Sequence, residues 1–316
     1  MHKLRTAVIG TGYLGRFHAQ KYAALPDSEL IAVCDASGDT AHQVASELGT
    51  EGITDYRQLA GRVDAVSIVV PTQQHHSVAR WFLQNDVHVL LEKPITVTVT
   101  EGRELVAIAA ERGCIFQIGH LERFNPAILA LEDVITEPQF IESHRLAPFN
   151  PRGADVNVVL DLMIHDIDII LDMVRSPVRQ IDANGVSVLS SDIDIANVRI
   201  QFENGCVANV TASRASVKTE RKMRLFQHDS YITIDFQNKQ LEIYRKGEGE
   251  QHPGIPVIES KQQTFDNGDA LMSEISSFLD AVRYGRPPVV SGEDGLRALE
   301  TALAISDKLI KEEPVS

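Results

Sequence analysis

The chain has 316 residues, 43% of them hydrophobic and 23% charged, and its 44 acidic against 30 basic side chains give a formal charge of −14. That balance argues against nucleic-acid and anionic-membrane partners, which select for basic surfaces, and the length suits two domains. Three scattered cysteines, Cys34, Cys114 and Cys206, form no C-x-x-C pair and imply neither a disulfide framework nor a zinc site.

In chain order, Ala7-Val8-Ile9 is a short apolar run that predicts a buried parallel strand, and Gly10, Gly12 and Gly15 follow it as G-x-G-x-x-G. The loop also contains Thr11, Tyr13 and Leu14, and a helical pattern through Phe17, Tyr22 and Leu25 follows. The three glycines serve different ends. Gly10 allows the tight turn, Gly12 close approach to a pyrophosphate, and Gly15 tight helix–strand packing. The helix start adds unpaired N–H groups and a positive dipole end. A second strand, Leu30–Val33, ends near Asp35, twenty residues after Gly15, the offset of a carboxylate that grips the adenosine ribose. Ala36-Ser37-Gly38 bring no cation to offset its repulsion of a 2′-phosphate, so NAD is favoured over NADP.

A helix over Thr40–Leu48 comes next, then a short one over Asp55–Leu59 and a strand in the apolar run Val63–Val70. Pro71-Thr72 ends that strand and opens a helix over His75–Asn85, with His75 at its start and near the expected cofactor position. Strand Val87–Leu91 leads to Glu92-Lys93-Pro94, a helix from a cap at Thr100 reaches Arg112, and strand Cys114–Gly119 closes the alternation. This rhythm predicts a doubly wound parallel sheet over residues 1–119. Lys93 lies at the carboxyl end of that sheet, where ligands of such sheets bind.

Beyond Gly119 the pattern changes, and residues 120–316 are expected to form an α+β domain. Gly119-His120 with Arg123, Phe124 and Asn125-Pro126 supplies an imidazole, a guanidinium and an amide near the expected boundary. Strands are expected at Phe140–Ala147, Gln180–Leu189, Ala196–Phe202, Cys206–Ser213, Met223–Gln227, Tyr231–Phe236 and Leu241–Tyr244, with a turn at Gly247-Glu248-Gly249. Without helices between most of them, the sheet reads as mostly antiparallel. One helix, Val158–Val174, places Asp161, His165, Asp168 and Asp172 on one polar stripe. Asp161 and His165, four apart, can pair as carboxylate and imidazole, which suits a general base better than a metal. Arg145, Arg152 and Asn157 lead into this helix and offer groups for phosphate or hydroxyl binding, with ordinary surface charge as the alternative. Helices over Ala270–Tyr284 and Gly292–Lys311 end the chain. No segment has signal-peptide character or the roughly 18 apolar residues of a membrane span, so a soluble cytoplasmic protein is expected.

Taken together, Gly10-x-Gly12-x-x-Gly15, Pro71-Thr72 with His75, Glu92-Lys93-Pro94, Gly119-His120 with Arg123-Phe124, Asp161-x-x-x-His165 and the closing Ser291–Gly295 resemble the Gfo/Idh/MocA oxidoreductases over almost the whole chain. The resemblance implies a Rossmann domain plus an open-faced, mostly antiparallel sheet that serves as a homodimer or homotetramer interface. It also implies exchange between hydroxyl and ketone on a sugar-like substrate. By the matching motifs, Lys93 stands beside the nicotinamide, His165 is the acid/base and Asp161 positions it; the glycine loop, Asp35, Pro71, Thr72, His75, Glu92 and Lys93 would meet the cofactor. His120, Arg123, Asn125, Arg145, Arg152, Asn157, Asp161 and His165 would meet the substrate. Val158-Val159-Leu160 replaces a glycine pair common in the family. The stretches HLERFNPA, HRLAPFNPRG and DVNVVLDLMIHDIDI are most similar to the branch that oxidises C3 of UDP-N-acetylglucosamine for lipid A-type amino sugars. Another sugar or an inositol as substrate, and a non-catalytic dinucleotide sensor, remain the alternatives.

Overall fold

The computed structural model describes residues 3–131, 134–150, 157–265 and 268–310. The chain forms two compact units, Met1–Phe124 with Asp269–Leu296 and Asn125–Gly268 with Arg297–Ser316. The division expected at residue 119 thus lies a few residues before the boundary between the units, and Asp269–Leu296 groups with the first of them.

The first unit alternates β1 (Leu4–Ile9), α1 (Tyr13–Ala24), β2 (Ser28–Cys34), α2 (Gly38–Leu48), β3 (Glu51–Ile53), β4 (Ala65–Ile68), α3 (Thr72–Gln84), β5 (His88–Glu92), α4 (Val99–Arg112) and β6 (Phe116–Gly119). All its strand pairs are parallel, in the order β3-β2-β1-β4-β5-β6. Ala7, Val8, Val33, Val66, Ile68 and Leu91 are completely buried, as strands covered on both faces require. Helix α4 starts at Thr98, not Thr100, because Thr98 and Glu101 form a reciprocal capping box that satisfies two end donors at once. Strand β3, three residues long, carries too short a pattern to be read from sequence.

The second unit begins with α5 (Pro126–Leu129) and β7 (Pro138–Leu146). A π-helical turn, Val159–Met163, runs into α6 (Ile164–Val174). Then come β8 (Val178–Val186), β9 (Ile195–Phe202), β10 (Val207–Ser213), β11 (Glu220–Gln227), β12 (Ser230–Asp235), β13 (Gln240–His252) and β14 (Ile255–Thr264). The sheet order is β14-β13-β12-β11-β7-β10-β9-β8, antiparallel except where β10 meets β7. Strand β13 continues well past Tyr244: the ladder breaks register between Lys246 and Glu250, with Gly249 at φ +83°, so the glycines bulge the strand and do not end it. The turn comes at Gly254 and leads to β14, a strand not expected from the sequence pattern.

One face of this sheet packs Ile141, Val198, Val210, Met223 and Ile232 against Val159, Ile164 and Ile167 of the π-turn and α6. The other bears polar cross-strand pairs such as Arg199–Asn209 and Arg224–Glu142, and a row of half-buried rings. Phe140, Phe226, Tyr231 and Tyr244 follow one another with centroids 5.8, 4.9 and 5.6 Å apart.

Helices α7 (Ala270–Tyr284) and α8 (Gly292–Ile310) close the chain. Ile275, Phe278 and Leu279 of α7 pack with Val8, Ala19, Tyr22 and Val33, which draws α7 into the first unit. Helix α8 starts in the first unit, while its Ala298, Ala302 and Ile305 belong to the core of the second. No described helix is long and apolar enough to cross a membrane.

Candidate active site

The glycine loop follows from sterics. Gly10 has φ +87°, and a Cβ there would stand 2.4 Å from the Val69 carbonyl oxygen; a Cβ on Gly15 would stand 1.8 Å from the Gly10 oxygen. Gly12 is the opposite case, with nothing within 4 Å of where its Cβ would be. It caps α1 without any side-chain bond, and no acidic residue stands in the first turn. The open face at Gly12 and uncapped helix N–H groups fit an anionic pyrophosphate. Thr11 is buried, whereas Tyr13 is 80% exposed and Leu14 also lies at the surface. Asp35 accepts from the Thr11 amide at 2.8 Å and the Ser37 amide at 2.9 Å, so its carboxylate braces the loop.

At the neighbouring strand ends, Pro71 is exposed and Thr72 half-buried at the start of α3. His75 has no ring nitrogen to offer: Nδ1 lies 2.8 Å from the Pro94 oxygen and Nε2 2.9 Å from the Val70 oxygen. Burial lowers its pKa and the two carbonyls oppose that. The ring thus spans the turns after β4 and β5. Lys93 is half-buried, and the Lys93–Pro94 peptide is cis. Glu92 turns its carboxylate towards His18, 3.2 Å from Nε2, and so is likewise a supporting group. Gly119 is needed for this, since a Cβ there would stand 2.9 Å from Glu92 Oε1. His120 and Arg123 are buried nearby. Burial, then the Lys93 and Arg123 cations, push His120 down to about 3, so it is a neutral imidazole at ordinary pH.

In the second unit the anchor is an ion pair. Arg145 donates from Nε to Asp166 at 2.6 Å, Ser143 adds a bond of 2.8 Å, and both charged groups are buried. Arg145 was expected to bind substrate; instead it fixes α6 from beneath. Asn157 accepts from the Val159 and Leu160 amides and Asn125 from the Ala127 amide, so both are helix caps, not free ligand donors. Asp161 lies in the π-turn and His165 in the first turn of α6, both half-buried. The regular stripe is broken by that wide turn, a feature that marks functional positions in helices, and Asp168 is buried. Arg152 lies outside the described residues.

Four polar residues were not singled out by sequence: His18, Gln117, Asp166 and Glu274, all buried. His18 had a signal, since Gly15, His18 and Tyr22 share one face of α1 at spacings three and four. Glu274 of α7 carries no such signal.

Residues 4–120 match the model of an oxidoreductase family with an NAD-binding Rossmann fold, and residues 134–234 match the Gfo/Idh/MocA C-terminal domain. The chain is 42% identical over 306 residues to a protein of Acidithiobacillus ferrooxidans named UDP-N-acetylglucosamine 3-dehydrogenase, across 96% of this chain and 97% of that one. A solved structure of that enzyme superposes with a TM-score of 0.92 at 41% identity, covering 98% of each chain. A Bacillus subtilis scyllo-inositol 2-dehydrogenase (NAD(+)) is 27% identical across 99% of this chain and 96% of its own.

Proposed function

The chain belongs to the Gfo/Idh/MocA oxidoreductase family, and from that premise we propose that it oxidises C3 of UDP-N-acetylglucosamine to the ketone with NAD, in the cytoplasm, supplying a 3-keto nucleotide sugar for lipid A-type amino-sugar synthesis. One observation carries the substrate: 42% identity along nearly the full length of both chains to an enzyme of that name.

When bound, NAD would supply the hydride acceptor. The N–H groups at the start of α1 would hold its pyrophosphate, and Asp35 would accept from the ribose hydroxyls while repelling a 2′-phosphate. His165 takes the hydroxyl proton, and the Lys93 ammonium steadies the charge that develops on oxygen. Asp161 positions substrate or imidazole. His120, held neutral, and Arg123 remain candidates for the sugar nucleotide; Arg145 does not, since Asp166 engages it. The aromatic row on the sheet of the second unit supports a homodimer or homotetramer through that face.

A second reading, an inositol or another sugar as substrate, has the scyllo-inositol relative in its favour. NADH formation with UDP-N-acetylglucosamine, free sugars and inositols separates the two, with an aminotransferase and glutamate present to draw off the ketone. Turnover with the nucleotide sugar alone is expected. Turnover with a polyol alone overturns the substrate, and silence with tight NAD binding favours a sensor. In the same assay Lys93→Ala and His165→Ala each lose about 10²–10⁴-fold.

A further inference from the structure

Two buried side chains and one half-buried one meet in the first unit at the end of β5: His18 of α1 and Glu274 of α7, with Glu92 of β5. Their nitrogen and oxygen atoms all lie within 4.8 Å of one another. His18 is fully buried and both its nitrogens are used. Nδ1 is 3.1 Å from Ser67 Oγ, which is 2.9 Å from the Tyr22 hydroxyl, and Nε2 is 3.2 Å from Glu92 Oε1. Donation in one direction satisfies this row: Tyr22 O–H to Ser67, Ser67 O–H to Nδ1, and Nε2–H to an ionised Glu92.

Glu274 stands apart. It is 0% exposed, and neither carboxyl oxygen meets a hydrogen-bond partner among the described residues. A second carboxylate here would be a buried, unpaired charge beside an ionised one, the case in which one group keeps its proton. Burial, and after it the charge of Glu92, raises Glu274 well above the ordinary carboxyl range. From α1 the groups facing this pair are His18 and Tyr22, the latter raised by burial and to a lesser degree by Glu274. The Glu92 charge also acts on His75, and on His120, which feels the Lys93 and Arg123 cations and Asp294 as well. His120 is neutral and so brings no compensating charge to the pair.

We propose that Glu274 is an un-ionised carboxylic acid in the working enzyme, that it and Glu92 hold one proton between them, and that this pair is a positioning element for Lys93, the residue that follows Glu92. The part concerning Lys93 rests on the dehydrogenase reading; the protonation state does not. Ionising Glu274 sets two like charges against each other behind β5, which moves the strand end and strengthens the hold of Lys93 on its proton. Because the acid is raised in the folded state, it adds stability up to the ordinary glutamate range, and that contribution fades as the pH climbs towards the folded-state value.

The test uses the full-length protein with NAD bound, as wild type and as Glu274→Gln, which copies the neutral acid but cannot ionise. The infrared spectrum at neutral pH is expected to show a protonated-carboxyl band in the wild type that Glu274→Gln lacks. On raising the pH to about 9, wild-type Tm should fall relative to the variant. The alkaline limb of the kcat/KM profile should move by at least about half a pH unit in the variant, a change that a purely structural side chain would not cause. Identical infrared spectra, or superposable pH profiles, overturn the proposal. So does about one metal ion per chain in the purified wild type that is lost from Glu274→Gln, which would make the three residues metal ligands. If Glu274→Gln does not fold, the wild-type infrared difference between neutral and alkaline pH decides, through loss or persistence of the band. The infrared arm needs no substrate, so failure of the sugar assay and failure of this proposal are told apart.

Discussion

Asp166 in the second unit and Glu274 in the first are equally withdrawn from water, at 1% and 0% exposure, yet their surroundings have little else in common. Asp166 receives a two-pronged contact from Arg145 and a further bond from Ser143. Among the described residues the Glu274 carboxyl receives no hydrogen bond, and it faces another carboxylate. Burial alone therefore does not say what an acid is for. Where a cation and donors are supplied, the acid is a strut that orients a helix; where they are withheld, it is left to hold a proton. Both stand close to a residue assigned to the chemistry, Asp166 directly after His165 in the chain and Glu274 behind the strand end that bears Lys93.

Breaking the strut should give the largest effect. Arg145→Met leaves Asp166 buried without its cation and is expected to lower stability by about 3–5 kcal/mol, measured by urea unfolding. Replacing both partners, Arg145→Met with Asp166→Leu, should recover much of that loss, because well-packed apolar groups often match a buried pair. If the single variant is as stable as wild type, the contrast with Glu274 collapses.

The contrast also explains what is legible in the sequence. The glycine loop is legible because its demands are local, a tight turn at Gly10 and close packing at Gly15. Arg145 is misread because its partner lies 21 residues on, and only the sheet pleat, with Ile141, Ser143 and Arg145 turned inward, shows that it faces α6. Asn157 and Asn125 look like ligand donors, and each caps the turn that follows it. Glu274 has no signal at all, since its surroundings are assembled from α1, β5 and α7, which are far apart in the chain.

A third buried acid sharpens the comparison through pH. Asp194 is 0% exposed; burial would raise its pKa, but the Leu189 amide, Arg214 and Ser190 overcome that and hold it below the usual carboxylate range. A lowered acid contributes stability above its unfolded value, near pH 4, and loses it as the pH falls, the reverse of Glu274. Wild-type stability should thus decline on both sides of neutrality. In Asp194→Asn the acid-side slope should flatten by up to about 1.4 kcal/mol per pH unit, while the alkaline slope stays. An unchanged acid slope would show that Asp194 is not the group responsible.

Asp35 is the acid at the other extreme, half-exposed, with its donors coming from the backbone of neighbouring loops. It is only partly buried, so its removal should appear in ligand choice before it appears in stability. Asp35→Ser takes away the repulsion of a 2′-phosphate and the grip on the ribose hydroxyls together. The ratio of NAD to NADP affinity should fall about fivefold, roughly 1 kcal/mol, as read by fluorescence titration of each reduced cofactor. Loss of Tm without a change in that ratio would mean that bracing Thr11 is the main work of Asp35, and would move it to the side of Asp166.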